Sequence, residues 1–323
     1  MTLDKKSFIK NIEKNFKFEK NPSVAVSVSG GPDSIALLFL IKEWTQYVNG
    51  HLISLIVDHN LRYGSSNETL MVSKYLKKKN IDTKILSIKK INILNKSMKE
   101  ARLNRYNLIT DYCKKNNILH LFVGHTKDDN IETFLNRKIS GSNFEGLISM
   151  KKISLINQVC IIRPLLEYSK KDIINFNKKN KYDFIEDPSN INLNYTRPVI
   201  RKFLKDINEN KRRKIHLDFA KIQKNSKLYN QMISEILVNS VLMANKEFIK
   251  IDYDKFKEIH YLILTNIIKR IFNYFFSKSV FIKSEKVHIL ISKLNSDNFR
   301  TFNLKSLLVK KVNNFLIFSK KMD

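Results

Sequence analysis

A chain of 323 residues, 43% of them hydrophobic, carries enough apolar material for one large core or two ordinary ones, which excludes a disordered or fibrous protein. Its 59 basic residues against 30 acidic ones give a formal net charge of +29, too widely spread for a tail or a sorting signal. A polyanionic partner is the natural expectation, although a lysine-rich coding bias produces the same excess without one. Arginine supplies 11 of the basic residues and lysine 48, so the arginines mark places where a planar guanidinium fork matters, and six of them fall in the motifs below. The two cysteines, Cys113 and Cys160, match neither a CxxC pair nor a metal-ligand pattern, which fits a reducing compartment. No apolar leader opens the sequence, and the run 35–41 is far too short to span a bilayer, so a soluble, cytoplasmic protein with no membrane partner is expected.

In chain order, the apolar segments 24–28, 52–57, 84–88 and 119–123 read as strands separated by helix-length stretches. That alternation predicts an α/β fold with a parallel sheet, right-handed crossovers and ligands at the strand C-terminal ends. The first strand runs into Ser29-Gly30-Gly31-Pro32-Asp33-Ser34 and then into a helical period. Glycines admit backbone N–H groups close to a ligand, and a helix N-terminus favours an anion, so this turn predicts a phosphate site. The plain alternative is an ordinary helix start capped by Asp33 or Ser34. It is not a Walker loop, because no Gly-Lys-Ser/Thr ending follows.

Val57-Asp58-His59-Asn60-Leu61-Arg62 leaves the second strand on the ligand side and is a candidate for an adenosine pocket. Arg102 and Arg105 sit at i,i+3 of a helical stretch and share a face able to clamp phosphates. Gly124-His125-Thr126-Lys127-Asp128-Asp129 follows the fourth strand; a helix from about Thr126 sets Asp128 and Glu132 at i,i+4 beside Asp129. Crowded carboxylates predict a nearby Mg2+, with acids complementing the helix dipole as the alternative. Then come Arg163-Pro164-Leu165-Leu166, the segment 186–190 and Arg197-Pro198-Val199-Ile200-Arg201. From 208, after which Lys211-Arg212-Arg213-Lys214 stands, the pattern turns helical through 276, and 302–318 alternates around Asn313-Asn314 as a hairpin would. Two domains are expected, 1–207 and 208–323.

Taken in this order, the motifs resemble the tRNA(Ile)-lysidine synthetase family of the PP-loop, or N-type ATP pyrophosphatase, superfamily: S-G-G-x-D-S, V-D-H-x-L-R, A-R-x-x-R-Y, G-H-x-x-D-D, R-P-L-L and E-D-P-S-N. The family's R-G-S-G turn stands here as Ser140-Gly141-Ser142-Asn143, and its R-N-x-I-R as Arg197-Pro198-Val199-Ile200-Arg201. The resemblance implies a Rossmann-like PP-loop ATPase domain followed by a mostly helical region ending in a small β element. It implies that the wobble cytidine of an isoleucine tRNA with a CAU anticodon attacks the α-phosphate of ATP, and that free lysine then displaces AMP to form lysidine, switching decoding from AUG to AUA. By the same resemblance Ser29, Gly30, Gly31, Pro32, Asp33 and Ser34 hold ATP, with Asp58 and His59 at the adenosine, and Asp33 and Asp129 hold Mg2+. Arg102, Arg105, Arg197 and Arg201 then neutralise phosphate charge or position tRNA, and His125 and Asp128 meet the lysine amine. Residues 208–323 become a helical connection and tRNA-binding region. The alternatives are a tRNA thiolase of the same superfamily, a synthetase acting on a small molecule, and an RNA-binding protein with an inactive nucleotide site. The oligomeric state is left open, a homodimer included.

Overall fold

The computed structural model describes residues 3–58, 64–87, 98–185, 196–276, 282–296 and 298–321, with the side chains of 98–101 left aside. His59 and the segment 186–190 lie outside the described residues. By contacts the chain divides into two units, one of residues 1–140 and 149–213, the other of 141–148 and 214–323.

In the first unit α1 (Lys5–Asn15) precedes β1 (Ser23–Val28), α2 (Pro32–Tyr47), β2 (His51–Asp58), α3 (Ser65–Lys78), β3 (Asp82–Ser87), α4 (Met98–Lys115), β4 (His120–Val123) and α5 (Lys127–Ile139). After α6 (Phe144–Leu147), which belongs to the second unit, come β5 (Ile153–Ile156), β6 (Val159–Ile162), a 3-10 turn at Pro164–Glu167, α7 (Lys170–Lys179) and α8 (Thr196–Asp206). The sheet order is β3-β2-β1-β4-β6-β5, parallel except for β5, which pairs antiparallel with β6. The four strands expected from the sequence all form, within a residue or so of their expected bounds inside the described residues. The hairpin strands β5 and β6 went unanticipated because each is only four residues long and carries little period to read.

Helix α2 is apolar on nearly all sides, and Ile35, Leu37, Leu38, Leu40 and Ile41 are 0–1% exposed. A helix with that pattern must be covered all round, and α1 and α7 pack on it together with strands of the sheet. Burying each such side chain contributes about 1.5–3 kcal/mol. The site depends on this rigidity, because α2 carries the phosphate turn at its N-terminus. The order of β1 and β4 matters as much: they are neighbours, with Ser27 opposite Val123, although two βα units separate them in sequence. Their C-terminal ends open side by side at the point where the strand order reverses, the usual ligand crevice of such sheets.

The second unit comprises α6, α9 (Glu209–Ser240, beginning in the first unit), β7 (Val241–Ala244), β8 (Phe248–Asp252), α10 (Asp254–Lys257), α11 (Tyr261–Phe275), α12 (Ser284–Leu294), β9 (Thr301–Leu304), β10 (Leu307–Val312) and β11 (Phe315–Lys320). Its sheet is antiparallel, in the order β7-β8-β11-β10-β9. The hairpin at Asn313-Asn314 forms as expected: Val312 pairs with Phe315, and Asn313 takes φ 51°, a left-handed conformation that asparagine tolerates. Between α9 and α11, where helix-like stretches were expected, β7 and β8 form a second hairpin whose turn is organised by Asn245, its Oδ1 accepting from the amides of Glu247 and Phe248 at 2.8 Å each. Ile249, Ile251, Leu307, Val309, Leu316 and Phe318 are buried on one face of this sheet, in the same cluster as Ile267 and Ile268 of α11 and Leu290 of α12.

Candidate active site

The phosphate turn is built locally. Gly30 has φ 84°, and a Cβ there would stand 2.7 Å from Val72 Cγ2, so this position is closed to other residues both by backbone and by space. Gly31 is the N-cap of α2 and Pro32 its first helical residue; no side chain caps the helix, which rules out the ordinary start with Asp33 or Ser34 as cap. The Ser34 hydroxyl instead turns back, donating to the Gly31 carbonyl at 3.0 Å and accepting from the Ser29 amide at 3.2 Å. Gly124, at the end of β4, lies so close that a Cβ would sit 3.1 Å from the backbone of Asp33 and Ser34. Two sequence motifs thus touch through a glycine.

Beside the turn is a cluster of acids. Helix α5 starts with a capping box in which Thr126 N–H donates to Asp129 Oδ2 at 2.9 Å and Asp129 N–H to Thr126 Oγ1 at 3.2 Å. That cap turns Asp129 inward, where its Oδ1 lies 3.6 Å from Arg201 Nη2, while Arg201 Nε donates to Glu132 Oε1 at 2.6 Å. Asp128, one residue earlier, points elsewhere and accepts from the Lys170 amide at 2.7 Å. The residues that share the inward face of α5 are therefore Asp129 and Glu132 at i,i+3. Burial pulls Asp129 upward, but the hydrogen bond from the Thr126 amide and the charge of Lys170 outweigh it and hold the carboxyl below its usual value. Burial likewise raises Glu132, against the pull of Arg201. Asp33 is pushed up to about 6 by burial, with Lys170 opposing and Asp129 adding to the rise. Its Oδ2 is 3.4 Å from Lys170 Nζ, and its Oδ1 is buried with no partner.

The other wall is cationic. The guanidiniums of Arg102 and Arg105 each stand 5.6 Å from the Tyr106 ring, and both therefore flank one aromatic side chain. Burial lowers Arg105, and the charges of Arg102 and Arg197 add to that effect. His125 is driven down to about 3 by burial, with Arg102 and Arg163 contributing, so its ring is neutral at physiological pH. Arg163, from the R-P-L-L motif, is buried and donates to the Lys151 carbonyl at 3.0 Å and the Ser154 hydroxyl at 2.8 Å, tying β5 to the turn after β6.

Of the sequence-derived candidates, Ser29, Gly30, Gly31, Pro32, Asp33, Ser34, Asp129 and Arg201 converge at the β1–β4 crevice, and the charges of Arg102, Arg105 and Arg197 reach its borders. Asp58 is buried at the end of β2, where it accepts from the hydroxyls of Ser65 at 3.3 Å and Ser66 at 2.6 Å at the start of α3. The sequence reading missed Lys170 and gave no site role to Glu132. A sequence signal that points to the neighbourhood of Lys170 is the Ser169-x-x-Asp172 pair, which forms the capping box that starts α7. Among the described residues no three His, Cys, Asp or Glu side chains gather as a metal site.

A strand, a glycine turn and a helix N-terminus at a topological switch point define a nucleotide-phosphate-binding α/β domain, and residues 4–208 match the PP-loop domain family. The chain belongs to that family. Among curated proteins it is similar to the tRNA(Ile)-lysidine synthase of Orientia tsutsugamushi, 38% identical over 203 residues that cover 62% of this chain and 45% of that one. It is similar as well to the enzymes of that name from a Wolbachia of Brugia malayi, 42% identical over 57% of this chain and 43% of that one, and from Rickettsia typhi, 34% identical over 75% and 54%. The chain thus spans about half the length of the curated relatives it matches. Among solved structures a U34-tRNA thiolase from Methanococcus maripaludis shares the fold, with a TM-score of 0.57 at 16% identity over 68% of this chain and 79% of that one.

Proposed function

We propose that the chain is a cytoplasmic tRNA(Ile)-lysidine synthetase, which adenylates the wobble cytidine of an isoleucine tRNA with a CAU anticodon and then joins lysine to it. The observation that carries this reading is the convergence of the S-G-G-P-D-S turn with a buried acidic face, Asp129 and Glu132, and a wall of guanidiniums. The turn at 29–34 receives the triphosphate on backbone amides and hydroxyls at the positive end of α2. Arg102, Arg105 and Arg197 neutralise charge that builds on the phosphate as the cytidine carbonyl attacks. Arg201 holds Asp129 and Glu132 in place.

The donor set suits Mg2+, a hard cation that takes one or two carboxylates and completes its shell with phosphate oxygens and water. Asp33, with an orphaned buried Oδ1, and Asp129 would hold it, where it would offset the charge of the departing pyrophosphate. The neutral His125 ring offers a nitrogen that accepts a hydrogen bond from the lysine amine and so orients it, and Asp128 acts through α7. Residues 208–323 contribute to tRNA binding, with Arg212 excepted: its guanidinium is folded back on the carbonyls of Leu204, Lys205 and Ile207 at the end of α8.

A thiolase reading is disfavoured by the cysteines. Burial raises both thiols, Cys113 to about 12, so neither supplies a thiolate at neutral pH. The test is pyrophosphate release and transfer of labelled lysine to isoleucine and methionine tRNA transcripts, which share the CAU anticodon. Labelling of the isoleucine tRNA alone is expected, and removing the residues beyond 208 should relax that choice. Equal labelling of both, or labelling by no amino acid, would overturn the assignment.

A further inference from the structure

Lys170 stands beside the phosphate turn, and its ammonium pairs with Asp33 Oδ2 at 3.4 Å. Its backbone is fixed from several directions. The Lys170 amide donates to Asp128 at 2.7 Å, and the Lys127 amide donates to the Tyr168 carbonyl at 3.0 Å, so the first turns of α5 and α7 are stitched together. Further along α7, Asn177, wholly buried, donates to the Pro32 carbonyl at 2.9 Å, inside the phosphate turn itself. Helix α7 is therefore anchored to the two elements that carry Asp33 and Asp129. The lysine side chain remains 37% exposed. Among the described residues its ammonium has one carboxylate partner, at a long distance, and Asp33 Oδ1 is buried without a partner.

We propose that the Lys170 ammonium is the resident counter-ion of Asp33 in the nucleotide-free protein, and that it keeps a free divalent cation out until a triphosphate arrives to take the ammonium as its partner. A lone cation entering between Asp33 and Asp129 displaces the ammonium from Asp33 and leaves two positive centres side by side with no added anion. The triphosphate removes that conflict, because its oxygens accept from Lys170 while the carboxylates turn to the metal. Metal and nucleotide then bind with positive coupling, and by linkage each raises the affinity of the other by the same factor.

The inference rests on the metal reading above, but its test uses no tRNA and no lysine. A chain that transfers no lysine fails that reading of the substrate and leaves this experiment intact. The measurement is Mn2+ binding to the nucleotide-free protein by titration calorimetry or electron paramagnetic resonance. Lys170→Met should bind Mn2+ at least tenfold more tightly than the parent, Lys170→Arg should bind like the parent, and Lys171→Met, which removes an exposed charge from the same turn, should bind like the parent too. Lys170→Gln gives the same readout should Lys170→Met fail to fold. Equal Mn2+ affinity in the parent and the neutral Lys170 variants would overturn the proposal. So would equal tightening in Lys171→Met, which would reduce the effect to the general field of a basic protein.

Discussion

The acidic and cationic walls of the crevice handle charge in opposite ways. Asp33, Asp129 and Glu132 are each matched by a cation of the same unit, Lys170 for the first and Arg201 for the other two. Arg102 and Arg105 are paired with no carboxylate among the described residues and lie against Tyr106 instead. Buried acids are costly unless compensated, whereas guanidiniums are weakly hydrated and rest on an aromatic face at little cost. Among the described residues each of these acids thus has a cation beside it, while Arg102 and Arg105 have no carboxylate. Under the proposed function, the arginine side meets the charge of the phosphates that the turn holds, and Asp33 exchanges its ammonium for a metal.

The largest effect should come from removing the acid nearest the phosphate turn. Asp33→Ala is expected to cost on the order of 10³-fold in pyrophosphate release while circular dichroism shows an intact fold. A folded variant with parental release would detach the acidic wall from the chemistry. Breaking the other wall should cost somewhat less: Arg102→Ala or Arg105→Ala should slow adenylation about 10²-fold, as loss of one donor aimed at developing charge does, with little change in melting temperature. Should either arginine variant melt early and turn over normally, the cationic wall would be a packing device.

Glu132→Leu asks the converse, because it removes the acid and leaves the half-buried Arg201 with a weaker partner. Breaking such a pair costs ~2–3 kcal/mol, which chemical denaturation would register. An unchanged midpoint would mean that Arg201 finds a full replacement in Asp129.

The smallest effect is a pair of opposed pH slopes. Asp33 titrates at about 6 when folded and near 3.8 when unfolded, so its contribution to stability is full below the lower value and is lost as pH rises to about 6. His125 titrates at about 3 folded against 6.5 unfolded, so stability is lost as pH falls from 6.5, where the unfolded chain takes a proton that the folded one refuses. In the nucleotide-free parent the two slopes largely cancel between pH 4 and 6. His125→Gln should therefore gain stability on acidification across that window relative to the parent, and Asp33→Asn should lose it. Parallel curves for both variants and the parent would remove the electrostatic contrast on which the two walls rest.

Much of this was legible in advance where the cause is local. The phosphate turn declares itself through Gly30, Gly31 and Pro32, because a positive φ, a bare cap and a first helical proline are demands that only neighbouring residues satisfy. The C-terminal hairpin is likewise written in Asn313-Asn314 between alternating strands. The β7–β8 hairpin was not legible, since its turn rests on one asparagine within a lysine-rich, helix-like stretch. Spacing alone set Asp128 with Glu132 at i,i+4 and left Asp129 beside them; the capping box of Thr126 turned Asp129 to the crevice instead, with Asp128 facing Lys170.

The sequence by itself determined the α/β alternation, the phosphate turn and the ordered motifs, because strand period, glycine backbone freedom and helix capping act over a few residues. Only the tertiary structure decided that Lys170, one of 48 lysines, stands against Asp33, that Glu132 shares Arg201 with Asp129, and that His125 is neutral. Those outcomes depend on burial and on charges brought together by the β1–β4 neighbourhood and the anchoring of α7. Burial and Coulomb forces act through space, and no spacing along the chain encodes them.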